Sequence, residues 1–170
     1  MQNPLTLAVE DWPIDKIRPY EGNPRVIPQI AIEKVAASIR EFGWRQPIVV
    51  DEDGVILVGH TRLRAARQLG HSTVPVHVAH GLTKDQARAY RLADNRVGEE
   101  TEWDLEALKL ELQDLGSHRA DLVLTGFDAE YLTELLDPPG PEAPTDFKAF
   151  DETIETNCEC PKCGYKWSRT

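Results

Sequence analysis

The chain has 170 residues and a formal net charge of −10, enough for one domain of ordinary size with tails and too little for two large ones. No apolar run approaches the roughly 18–20 residues that span a bilayer, and Met1-Gln2-Asn3-Pro4 lacks the basic patch and apolar core of a signal peptide. All three cysteines fall between Cys158 and Cys163, so membrane-spanning, secreted and disulfide-scaffold classes are excluded and a cytoplasmic protein is expected.

In chain order, Ala8-Val9-Glu10 is a short strand candidate, followed by Trp12-Pro13-Ile14. Pro19 to Arg25 is loop, because two prolines, Gly22 and Asn23 interrupt any regular element. From Pro28 the pattern turns helical: Ile32, Val35, Ala36 and Ile39 recur at i, i+3, i+4 and i+7, and Gly43 supplies the stop. Gln46 to Val50 reads as a strand, Asp51-Glu52-Asp53-Gly54 as a turn, and Val55 to Val58 as the returning strand of a hairpin. Gly59 breaks that strand and a helix runs from Thr61 to Leu69, ended by Gly70. Val74 to Val78 is a strand, placed at an edge or a strand start by Pro75.

Thr83 to Gln86 has the form of a capping box, opening a helix to about Ala93. Asp104 caps another, in which Leu105, Leu108, Leu112 and Leu115 align before Gly116. Asp128 is the N-cap of a last helix, with Phe127 and Leu132 as a hydrophobic staple. Pro138 to Pro144 is a proline-rich linker. The fold class expected is α+β, a small mixed sheet with packed helices. The division expected is a domain at 8–97, a helical extension at 98–137, a linker at 138–157 and a cysteine tail at 158–170.

Charge follows this division. Residues 1–97 carry 13 basic and 11 acidic side chains, and residues 98–170 carry 6 and 18. The acidic half reads as a solvated surface, which argues against a generic charge-driven grip on nucleic acid but leaves room for a local basic site in the first half.

That site is expected where Val58 runs through Gly59 into a helix. Such a junction exposes free backbone N–H groups at the positive end of the helix dipole and favours an anion. Thr61 adds a hydroxyl, Arg62 a planar fork matched to phosphate oxygens, and His60 a group that titrates near neutral pH. The alternative is a surface helix with solvated arginines. Asn23-Pro24-Arg25 is a rigid basic loop able to close over a ligand at residue 59, or a plain pre-helix turn. Asp94 and Asn95 can hold a divalent cation bridging phosphates, or simply end their helix.

Several segments resemble the N-terminal domain of the ParB/sulfiredoxin superfamily. They are Ile17-Arg18-Pro19-Tyr20 with Asn23-Pro24-Arg25, Ile39 to Gly43 running into Gln46 to Val50, Val55 to Ala66, and Leu92 to Arg96. The resemblance covers roughly residues 8–137. It is strongest to the ParB-like domains of phages and mobile elements, often fused to or encoded beside DNA methyltransferases. It implies that Gly59, His60, Thr61 and Arg62 bind the triphosphate of CTP or ATP, helped by Asn23, Arg25 and Asn95, with Asp94 at Mg²⁺. It also implies DNA as a partner, direct or through a methyltransferase or other phage protein, and a homodimer; no membrane is implied.

The departures have consequences. His60 stands where partition proteins have Glu, so their hydrolytic chemistry does not carry over. No cysteine lies near residue 60, which argues against sulfinic acid reduction. The helical extension is short and acidic, which argues against site-specific DNA recognition by a following helix-turn-helix. The catalytic residue stays open between His60 and Glu21, and the readings between an NTP-dependent switch or NTPase, a Mg²⁺-dependent endonuclease and a non-catalytic adaptor. The carboxylates available to a nuclease are Glu21, Asp94 and the Asp51–Asp53 turn, the last of which reads more simply as a solvated hairpin tip.

Cys160-Pro161-Lys162-Cys163-Gly164 has the form of a zinc knuckle: Cys-x-x-Cys spacing brings two thiolates to one tetrahedral ion. Cys158 is a candidate third ligand. A half-site completed by another copy or a partner, and a degenerate ribbon without metal, are the alternatives.

Overall fold

The computed structural model describes residues 7–138 and 156–168. By contact the chain divides into two units, Met1–Pro138 and Pro139–Thr170. The first unit holds four strands, β1 (Glu10–Pro13), β2 (Ile48–Val50), β3 (Ile56–Val58) and β4 (Thr73–Val78). Five helices accompany them: α1 (Gln29–Phe42), α2 (His60–Gln68), α3 (Lys84–Gly98), α4 (Leu105–Ser117) and α5 (Ala129–Leu136). The sheet order is β1-β4-β2-β3, with β2 parallel to β4 and the other two pairs antiparallel. This is the mixed α+β architecture expected.

Two layers of helix cover one face of the sheet. Leu63 and Ala66 of α2 pack with Ile14, Ile17, Ile48, Val50, Ile56, Val74 and Val76, all buried. On the far side of α2, Ala65 joins Ile32, Ala36 and Ile39 of α1. Each of the larger aliphatic side chains contributes about 1.5–3 kcal/mol by leaving water. The i, i+3, i+4, i+7 stripe of α1 is therefore its buried face, and Gly43 ends the helix with φ 70°. Leu108, Leu112 and Leu132 form a separate core between α4 and α5, with Phe127 packed against it. This second core is tied to α1 by Lys34 Nζ, which donates to Gly126 O at 2.7 Å and pairs with Asp128 at 2.7 Å.

Several elements differ from the sequence-based expectation. The first strand starts at Glu10, beyond Ala8-Val9, because the registered pairs with β4 run from Glu10 opposite Val76 to Pro13 opposite Thr73. β4 is interior, between β1 and β2; Pro75 lies one residue before the ladder to β2 begins at Val76, so on that side its missing N–H falls outside the registered pairs. The Thr83/Gln86 capping box forms with both bonds, but α3 continues five residues past Ala93, since no helix breaker intervenes before Gly98. Asp128 holds the N-cap position without a side-chain cap bond, its carboxylate being taken by Lys34. The expected linker falls mostly on residues outside those described.

In the second unit, β5 (Cys158–Glu159) and β6 (Lys166–Trp167) pair as an antiparallel hairpin. No helix among the described residues is long and apolar enough to cross a membrane.

Candidate anion-binding site

At the β3–α2 junction Gly59 takes φ 107°, a left-handed conformation that side chains resist. A Cβ there would meet Ile48 Cα and Cγ1 at 3.4 Å. The chain therefore turns sharply out of the sheet, and the first intrahelical bond is Leu63 N–H to Gly59 O at 3.0 Å. The preceding N–H groups of α2 are left without helical acceptors by position, and no side chain caps them. They border a cavity of about 260 Å³ lined by Asn23, Arg25, Gly59, His60, Thr61, Arg62, Asp94 and Asn95, with Ile27, Val35, Leu57 and Val58 as its apolar wall. Three segments separated by more than thirty residues in sequence thus converge at one helix N-terminus.

The cations of this cavity are already engaged. Arg62 donates to Pro47 O at 3.3 Å and to the Gln46 side chain. Burial pulls the Arg62 pKa down from its ordinary value, and the nearby Asp94 carboxylate opposes that shift. Arg25 Nη1 lies 3.0 Å from Glu99 Oε1, the residue that closes α3. Asn23 Oδ1 accepts from the Arg25 backbone N–H at 3.2 Å, holding the loop in a tight turn. Asn95 Nδ2 donates to Arg91 O at 2.9 Å within α3. Asp94 and Asn95 lie inside α3, not at its end, and that extra length is what carries them to the cavity.

His60 is held neutral. Its Nε2 accepts the Tyr20 backbone N–H at 3.2 Å, which places the ring proton on Nδ1. Burial pushes its pKa down, and Arg91 and Arg64 add to the shift. Arg91 organises the surrounding wall: its guanidinium lies 4.1 Å over the Tyr20 ring, its Nε donates to Ile56 O at 2.9 Å, and it pairs with Asp51 at 3.2 Å. The Asp51 turn is thus not a merely solvated tip. Asp51 Oδ1 accepts from Asp53 and Val55 N–H, closing the hairpin, while Oδ2 binds α3 through Arg91.

Of the residues predicted for the site, Asn23, Arg25, Gly59, His60, Thr61, Arg62, Asp94 and Asn95 are brought together. Glu21 is exposed and lies outside the cavity lining. Gln46, Glu99, Tyr20 and Arg91 were not predicted. Gln46 follows from its place beside Pro47, but the others depend on α3 crossing the sheet edge, which no local pattern encodes.

In the tail, the backbone N–H groups of Lys162 and Cys163, and the Cys163 thiol, face Cys160 Sγ and hold its pKa below the ordinary thiol value. Among the described residues no three His, Cys, Asp or Glu side chains gather as a metal site.

Residues 4–96 match the ParB N-terminal domain. The chain belongs to that family. Residues 106–161 match a second family, the ParB-methyltransferase HTH domain, so the extension that looked too short and acidic for a helix-turn-helix carries that family's pattern. The ParB-like nuclease domain-containing protein YnaK of Escherichia coli is 39% identical over 74 residues, 44% of this chain and 85% of YnaK. A nucleoid occlusion protein of Bacillus cereus is 36% identical over 97 residues, 54% of this chain and only 33% of that protein. Among solved structures, the C-terminally truncated chromosome-partitioning protein ParB from Caulobacter crescentus, complexed with CTP-gamma-S, superposes with TM-score 0.62 at 23% identity, covering 76% of this chain and 77% of that one. The ParB fold thus extends over more of the chain than the N-terminal domain match alone.

Proposed function

We propose that this ParB-like chain binds a nucleoside triphosphate at the Gly59–Arg62 junction and acts as a nucleotide-dependent switch in the DNA metabolism of a phage or mobile element. The observation that carries the reading is the convergence of Asn23, Arg25, Gly59–Arg62, Asp94 and Asn95 around the N-terminus of α2. Free N–H groups and the α2 dipole suit phosphate oxygens, and Arg62 and Arg25 supply forks for bidentate contact. The complex of the Caulobacter crescentus neighbour with CTP-gamma-S supports a nucleotide in this fold.

Oxygen donors of the kind Mg²⁺ prefers, the Asp94 carboxylate and the Asn95 amide oxygen, belong to the same cavity. These two residues would hold the ion, which supplies charge neutralisation between phosphates. Asp94, Asn95 and Arg62 line the cavity together, and Leu57, Val58, Ile27 and Val35 form its apolar wall. An incoming triphosphate competes with Glu99 for Arg25, so occupancy loosens the tie between the Asn23–Arg25 loop and the end of α3. The match to a methyltransferase-associated helix-turn-helix supports DNA as the partner, directly or through a methyltransferase. The cysteine pair of the tail is proposed as zinc-binding.

The test is equilibrium binding of labelled ATP, CTP, GTP and UTP, with and without Mg²⁺, to the wild-type chain and Arg62→Ala. Mg²⁺-dependent binding lost at least tenfold in the variant supports the reading, and the preferred base identifies the ligand. No binding of any triphosphate overturns it; Mg²⁺-dependent DNA cutting without nucleotide then favours a nuclease, and neither activity favours an adaptor.

A further inference from the structure

The tail hairpin has the geometry of one metal-binding knuckle. Cys160 N–H donates to Tyr165 O at 2.8 Å, and Gly164 N–H returns to Cys160 O at 2.9 Å. Gly164 makes this closure with φ 73°, a conformation that favours glycine. The turn at Pro161–Cys163 brings Cys160 and Cys163 onto one tight reversal, the spacing at which two thiolates reach one ion. Two ligands are thereby presented by one tight turn, yet zinc bound by thiolates takes four in a tetrahedral structural site.

We propose that this hairpin is half of a zinc site shared between two copies of the chain, each contributing Cys160 and Cys163. The inference rests on the zinc reading of the tail. A second copy supplies the missing pair with identical geometry across a twofold axis, the commonest symmetry of soluble oligomers. The third cysteine of the sequence, Cys158, stands on β5 paired with Trp167, and among the described residues it gathers with no two other His, Cys, Asp or Glu side chains as a metal site.

The hairpin also presents a surface suited to its own copy. Tyr165 and Trp167 stack with ring centroids 6.3 Å apart and planes 15° from parallel. They are 69% and 40% exposed, an aromatic pair on the same hairpin that a second copy would cover. Four thiolates around Zn²⁺ leave a net charge of about −2. Lys162, between the ligands, brings positive charge to each half.

The experiment uses the full chain, free of nucleotide and reconstituted with Zn²⁺. Metal content is read by atomic emission and mass by light scattering, before and after EDTA, for wild type, Cys160→Ser and Cys158→Ser. The expected result is about one zinc per two chains at twice the monomer mass. EDTA and Cys160→Ser should halve the mass and remove the metal; Cys158→Ser should change neither. The helical circular dichroism of residues 1–138 controls for folding, since the hairpin lies in the other unit. One zinc per chain at monomer mass, loss of zinc in Cys158→Ser, or a mass unmoved by EDTA overturns the shared site while leaving zinc binding intact. No zinc in the wild type overturns both.

Discussion

The Arg25 guanidinium and the Glu99 carboxylate meet at 3.0 Å across 74 residues of sequence, joining the Asn23–Arg25 loop to the end of α3. Both side chains are about half exposed, so the pair contributes little to stability. Under the proposed nucleotide reading its importance lies in competition, because Glu99 occupies a cation that a phosphate oxygen would take. Glu99→Gln removes the competitor while keeping the side chain's size. Triphosphate affinity is expected to rise about 2–5-fold, the equivalent of an exposed ion pair. Titration calorimetry on wild type and variant checks this; unchanged or weaker binding sinks it.

The lowered pKa of His60 makes stability depend on pH with a definite sign. Its folded value lies below the unfolded value of about 6.5, so the unfolded chain binds the proton more readily. The contribution is complete above about pH 6.5 and is lost as pH falls from there through the folded value. Protonation also removes the acceptor for the Tyr20 N–H. Urea midpoints should therefore fall between pH 7.5 and 5.5 in wild type and fall less steeply in His60→Gln. Parallel profiles in the two proteins would show that His60 is not the titrating group.

Two glycines predict opposite outcomes. Gly59→Ala places a Cβ on a backbone with φ 107° and 3.4 Å from Ile48, at a cost of about 1–2 kcal/mol, and disturbs the N–H groups that face the cavity. Gly98 sits at the end of α3 with nothing within 4 Å of an added Cβ. Gly98→Ala is expected to be neutral or to stabilise by up to about 1 kcal/mol. Thermal denaturation of both variants decides; equal shifts in one direction would contradict the backbone argument.

Arg91 and Asp51 form a largely buried pair, with side chains 10% and 25% exposed. Removing Asp51 leaves the Arg91 guanidinium without its carboxylate beside Ile56 O and the Tyr20 ring, and removing Arg91 leaves Asp51 Oδ2 without its cation. Arg91→Ala or Asp51→Ala is expected to cost about 1–3 kcal/mol. The double variant should cost less than the sum, because the shared contact is lost only once. A double-mutant cycle by urea denaturation checks it, and strict additivity would mean the two side chains act independently.

The junction at Gly59 was legible in the sequence because its signals are local: a β-branched strand, a glycine, then a helix that begins with polar and basic residues. The α1 stripe of Ile32, Ala36 and Ile39, and the Thr83/Gln86 capping box, are legible for the same reason. The strand order was not, since Pro75 argues for an edge when read alone and only the register with β2 shows how an interior strand tolerates it.

The sequence by itself determined the elements, the glycine at the bend and the residue types suited to an anion, because propensity, capping and periodicity act within a few residues along the chain. Only the tertiary structure decided which of those residues meet. The ties of Arg25 to Glu99 and Arg91 to Asp51 depend on where α3 and the Asn23–Arg25 loop come to rest, and those of Arg62 to Gln46 and His60 to Tyr20 on where the start of α2 does. That placement follows from burying Leu57 and Ala87 and satisfying the Ile56 carbonyl. These are contacts between distant segments, and no pattern within one segment specifies them.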